Sequence, residues 1–91
     1  MANASEEYVA LIRGIQENGG VECEQAPDAF FIDQADENRQ YKMKIARAIC
    51  ERCPVRFECL EYALESNERE GIWGGLAPWE RREIRRRRRA A

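Results

Sequence analysis

Four cysteines constrain this chain more than any other feature of it. Cys23 stands alone, while Cys50, Cys53 and Cys59 are packed into C-E-R-C-P-V-R-F-E-C. The sequence contains no histidine, so imidazole takes no part in whatever the thiols do. Thiolates at such spacing converge on one metal centre or pair as two disulfides, depending on the compartment. With 91 residues the chain is expected to form one small domain. Domains of this size bury a modest fraction of their surface and often use a metal or disulfide staple.

The compartment is read from the start of the sequence. The opening MANASEEYVALIRG carries Glu6 and Glu7 where a secretory signal would be positively charged. No apolar run approaches the roughly 20 residues that a bilayer requires. A cytoplasmic location without a membrane partner is therefore expected, and thiols there stay reduced, which favours metal over disulfides.

Periodicity predicts an all-α fold of about four short helices. The first has Ser5 as N-cap, Glu6 and Glu7 in its first turn, and Tyr8, Leu11, Ile12 and Ile15 on one face. Gly14 weakens it and Gly19-Gly20 ends it. Residues 21–32 read as an irregular loop carrying Cys23, with Phe30, Phe31 and Ile32 as an apolar plug. Asp33 is the expected cap of a second helix running to about Cys50, with Tyr41, Ile45, Ala48 and Ile49 on its apolar face. Pro54 suits the first turn of a third helix, which places Cys53 just before that helix and Cys59 on its second turn. Cys53 and Cys59 then both reach one centre, and the helix N-terminus faces the thiolates.

The net charge of −2 conceals a polarised chain: residues 1–40 hold nine acidic and two basic side chains, and residues 66–91 hold eight basic and four acidic. Gly71, Ile72, Trp73, Gly74 and Gly75 form a G-I-W-G-G turn that presents one large aromatic, either as a core plug or as a partner-binding anchor. A fourth helix is expected from about Pro78, leading into Arg81, Arg82, Arg85, Arg86, Arg87, Arg88 and Arg89. Arginine's planar fork suits phosphate, so these seven residues are candidate DNA contacts. The expected division is a helical metal-binding domain over residues 1–76, ending in the glycine turn, and a basic helix or tail over residues 77–91.

An isolated cysteine, then C-x-x-C-x5-C, then G-I-W-G-G and a basic C-terminus together resemble the WhiB-like family, small iron–sulfur transcription regulators of actinobacteria and their phages. The resemblance covers about residues 23–89. It implies a [4Fe–4S] cluster held by Cys23, Cys50, Cys53 and Cys59, with the helices wrapped around it. It also implies docking of the glycine turn on region 4 of the principal sigma factor of RNA polymerase, and promoter DNA contacts by the tail. Such clusters commonly react with oxygen or nitric oxide, so redox sensing is implied too. Two features depart from the family pattern. Ala77-Pro78-Trp79 stands where a Ser or Thr cap is usual, leaving capping to Pro78 and Glu80, and the tail lacks an R-G-R-P hook.

Two other readings compete. Structural zinc in a DNA-binding protein is one, although four-cysteine zinc sites usually come as two close knuckles, whereas Cys23 lies 27 residues before Cys50. A dithiol disulfide reductase using C-E-R-C is the other, but no strand alternation supports the βαβ fold such a motif accompanies. No enzyme activity and no small-molecule substrate are expected.

Overall fold

The four helical segments all form helices, the last from Pro78 as expected, but the starts of the first three and the inward face of the second differ from the sequence-based expectation. The computed structural model describes residues 4–90. In chain order these form α1 (Ala4–Glu17), two 3-10 turns (Glu22–Gln25 and Pro27–Phe30), α2 (Arg39–Glu51), α3 (Arg56–Ser66) and α4 (Pro78–Ala90). Among the described residues there is no strand, only an isolated bridge between Trp73 and Leu76. No helix among them is long and apolar enough to cross a membrane.

α1 is already helical at Ala4, so Ser5 lies inside its first turn rather than capping it. The helix lays Leu11 inward and packs on α3, with the Tyr8 and Tyr62 rings 5.6 Å apart. Gly14 has a positive role here. A Cβ at that position would lie 2.6 Å from Val55 Cγ1, so its absence lets α1 approach the start of α3.

α2 begins at Arg39, not after Asp33. The Asp33 carboxylate accepts the Ala35 N–H at 2.8 Å and that of Asp36 accepts the Asn38 N–H at 2.7 Å. Each short side chain thus satisfies backbone two residues on, which favours turns over helix. The inward face of α2 is Met43, Ala46 and Cys50, with Ile49 beside it. Tyr41 and Ile45, expected on the core, remain 68% and 45% exposed. The stripe bearing Cys50 is turned inward, and the neighbouring one is left outside.

α3 starts at Arg56, after a turn through Pro54 and Val55, so Cys59 sits in its first turn, with its N–H on Val55 O at 2.8 Å. It ends at Ser66, where Asn67 takes the left-handed conformation (φ 57°), which Asn tolerates. Glu80 caps α4 as expected: its carboxylate accepts the Ala77 N–H at 2.9 Å, the backward half of a capping box.

Two groups of buried residues result. Phe30, Met43, Ala46, Cys50, Ile72 and Ala77 form one, with Cys23, Ile32, Ile49 and Trp79 against it. Leu11, Val55, Ala63 and Leu64 are buried outside that cluster. The apolar plug is split, since Phe30 is buried while Phe31 is 58% exposed. The helices spread into a slab of 39 × 38 × 17 Å, and the four cysteines line one cavity within it.

Candidate metal centre and its flanking surfaces

Cys23 comes from the first 3-10 turn, Cys50 from the end of α2, Cys53 from the α2–α3 turn and Cys59 from the first turn of α3. All four are free thiols, and all four line a single cavity of about 320 Å³. Leu11 and Val55 contribute to its wall from one buried group, Phe30 and Ile72 from the other. Among the described residues, no three Cys, Asp or Glu side chains are gathered tightly enough to hold a single metal ion.

The wall is apolar apart from the sulfurs and a few charged residues such as Glu22, Glu24 and Arg56, and this sets the protonation of the thiols. Burial pushes Cys59 up to about 12, opposed by the Gly74 N–H and reinforced by the other three sulfurs. Burial likewise raises Cys23 and Cys50, and the Gly75 N–H directed at Cys50 works against the rise. Burial thus favours the neutral thiols of Cys23, Cys50 and Cys59, and a cationic group in the chamber would favour their thiolates. An apolar chamber with four soft sulfur donors and no nitrogen donor suits an iron–sulfur cluster and a four-cysteine zinc site alike.

The glycine turn closes one side of the chamber. Trp73 and Leu76 exchange both backbone hydrogen bonds at 3.1 Å across Gly74 (φ 59°) and Gly75 (φ 88°), a two-residue hairpin whose central positions both need positive φ. A Cβ on Gly74 would also fall 2.6 Å from Leu60 Cβ and 2.7 Å from Arg56 O. The turn therefore presses backbone directly against α3. Of its five residues, Gly71, Ile72 and Gly74 are buried, and Ile72 donates its N–H to Phe30 O at 2.7 Å. These three are packed into the free chain rather than displayed on its surface. Trp73 and Gly75 reach solvent. The Trp73 ring lies 5.5 Å from that of Tyr62, so Tyr8, Tyr62 and Trp73 run as a half-open aromatic row from α1 to the turn.

Several residues that hold this arrangement were not singled out from the sequence. Arg47 donates to Gly75 O at 3.2 Å and also to the Glu80 carboxylate, joining α2 to the turn and to the cap of α4. Arg52 grips Glu22 through two hydrogen bonds of 2.9 and 2.6 Å, tying the segment that carries Cys23 to the end of α2. Their partners lie about 30 residues away in sequence, so no local pattern announces them.

Arg81 is the clearest departure among the candidate DNA contacts. It is 1% exposed, and it donates to the carbonyls of Gly71 (2.7 Å), Leu76 (2.6 Å), Glu68 (3.1 Å) and Glu70 (3.2 Å). Its fork braces both ends of the glycine turn, so it is not available to phosphate. Arg85 gives one N–H to Leu64 O. Arg86 and Arg87 pair with Glu83, and Arg88 pairs with Glu61. Arg82 and Arg89 are exposed. Trp79 packs against the larger buried cluster with Arg39 over its ring at 5.8 Å.

Comparison with known proteins gives a family match over residues 18–84, described as transcription factor WhiB. The match leaves out the whole of α1 and stops before the run from Arg85 to Arg89, so it is shorter at its C-terminal end than the motif resemblance. Transcriptional regulator WhiB2 of Mycobacterium tuberculosis is 50% identical over 60 residues, covering 66% of this chain and 62% of that protein. Transcriptional regulator WhiB of Streptomyces coelicolor is 45% identical over 60 residues, or 66% and 63% of the two chains. Transcriptional regulator WhiB1 of M. tuberculosis is 38% identical over 61 residues, or 67% and 73%. The chain thus spans slightly less than two thirds of the length of the first two.

Proposed function

The chain belongs to the WhiB family of transcription factors, and from that premise we propose that it is a [4Fe–4S] regulator acting in the cytoplasm. In this reading it docks on region 4 of the principal sigma factor and touches promoter DNA. The observation that carries the reading is the convergence of Cys23, Cys50, Cys53 and Cys59 on one apolar chamber bounded by the Trp73 turn. The four sulfurs are the cluster ligands, and the Gly74 and Gly75 N–H groups offset the burial of Cys59 and Cys50. When bound, the cluster supplies one-electron chemistry and reactivity towards oxygen or nitric oxide. Trp73, lying at the chamber and open on its outer side, is the sigma-factor anchor, joined by Tyr62. Leu11, Val55 and Phe30 keep water from the sulfurs.

The spacing favours a cluster over zinc, because four-cysteine zinc sites usually come as two close knuckles whereas Cys23 lies 27 residues before Cys50. Among the described residues there is no strand to build the βαβ fold that a reductase C-x-x-C accompanies, which speaks against a disulfide reductase. Anaerobic purification with an actinobacterial principal sigma factor tests the proposal. A brown complex containing iron and acid-labile sulfide is expected. Trp73→Ala should lose the sigma factor while the free protein keeps its cluster spectrum. A colourless zinc protein, or a Trp73→Ala variant that still pulls down sigma factor, would overturn the respective half.

A further inference from the structure

The tail reads in sequence as one run of arginines, but the fold sorts these residues into distinct groups. Arg81 is spent on the glycine turn. Arg86, Arg87 and Arg88 lie against Glu83 and Glu61, which cancel part of their charge. Arg82, Arg85 and Arg89 remain, at i, i+3 and i+7, and so share one stripe of α4. That stripe faces a fourth arginine from outside the tail. Arg69, in the loop between α3 and the glycine turn, lines the same groove of about 420 Å³, together with Asn67, Glu68 and Pro78.

Among the described residues, Arg69, Arg82 and Arg89 have no carboxylate partner, and Arg85 keeps donors beyond the one given to Leu64 O. Glu68 is the only acid at the groove, and its Oε1 is within reach of the Ser66 and Tyr62 hydroxyls at 3.3 and 3.5 Å. Like charges gathered without counter-charges repel one another, and a polyanion relieves that repulsion. The stripe from Arg82 to Arg89 rises about 10 Å, a length over which one DNA strand carries about three charges. The arginine fork suits bidentate phosphate contact.

Resting on the nucleic-acid reading above, we propose that this groove is the phosphate-backbone clamp for duplex DNA, with Arg69 facing the Arg82, Arg85 and Arg89 stripe across it. Arg86, Arg87 and Arg88 lie outside the clamp. Arg69 is thereby a DNA-contact residue that belongs to the loop before the turn and not to the basic tail. Because the contacts are to phosphate, the clamp sets affinity and register on the duplex, and carries no base preference of its own.

The test compares two single-charge changes in the full chain purified anaerobically, titrated with a short fluorescent duplex of arbitrary sequence over a range of salt. Arg69→Gln should weaken binding several-fold and reduce the log–log salt slope by about 0.9, the value for one lost phosphate contact. Arg69→Lys should restore the slope. Arg86→Gln removes the same formal charge and should leave the slope unchanged. Equal losses in Arg69→Gln and Arg86→Gln would mean that net charge alone binds DNA, and would overturn the clamp while sparing the DNA reading. An unaffected Arg69→Gln variant would do the same. A wild-type protein that binds no duplex would overturn the DNA reading and the clamp together.

Discussion

Arg81 shows what one side chain contributes when both of its terminal guanidinium nitrogens are engaged. A buried guanidinium is tolerated only where hydrogen bonds replace water, and here four carbonyls do so. Burial still pulls its pKa below the ordinary arginine value, and Nε has no partner. Lysine keeps the charge but lacks the planar fork, so Arg81→Lys strands several of these carbonyls. Stranded buried carbonyls cost ~1–3 kcal/mol each and do not add simply, so a loss of at least about 3 kcal/mol is expected. Thermal melting of the protein measures it, and an unchanged midpoint would show that the turn stands without its brace. Gly14 is the second such position. Alanine there gains about 1 kcal/mol of helix propensity but meets Val55 Cγ1 at 2.6 Å. Val55 is β-branched and 2% exposed, so it has little room to step aside, and overpacking costs ~1–3 kcal/mol. Gly14→Ala should therefore lower stability by about 1 kcal/mol, and a higher melting midpoint would refute the tight approach.

At the scale of the element, α4 carries two jobs on one helix. Its first turn belongs to the core, through Ala77 (0% exposed), Trp79 and Arg81. Its later turns are a column of arginines kept together by a few carboxylates. Glu83 is the pivot, since Arg86 and then Arg87 hold its carboxyl at about 2, below the ordinary 4.5. A depressed folded value means that the stabilisation is complete above about 4.5 and is lost as pH falls towards about 2. Acidification through that window should therefore fray the end of α4. The loss of helical circular dichroism there should be smaller in Glu83→Gln, which lacks the titrating group from the outset. The pair is exposed, so added salt should shrink the difference between the two proteins. Identical acid profiles would mean that Glu83 does not hold the helix end.

Taken whole, the molecule is two small apolar groups joined through a chamber of sulfurs. Leu11 and Val55 wall it from one side, and Phe30 and Ile72 from the other. Each group alone buries few large side chains, and small domains depend on such staples. In the proposed reading, cluster binding would become folding free energy. Stripping iron from the loaded protein with a chelator should lower both its helical signal and its melting midpoint, and Cys23→Ala should behave like the stripped protein. A Cys23→Ala protein that retains full iron, sulfide and helicity would remove that residue from the centre.

The sequence by itself determined the all-α class, the four helical segments, the sharp glycine turn, the Glu80 cap and the four cysteines as candidate ligands. Each of these rests on local physics: period, φ preference, capping chemistry or ligand spacing. It did not determine which stripe of α2 faces inward, because Tyr41 and Ile45 are as apolar as Met43 and Ala46. Nor did it place the start of α2, where Asp33 and Asp36 are equally good turn residues and helix caps. Above all, it did not sort the arginines, since Arg81 and Arg82 look alike in a list. Only the approach of the glycine turn, α3 and the Arg69 loop to α4 buries the first and exposes the second. Burial and charge pairing are relations between distant segments, and tertiary structure is where they are decided.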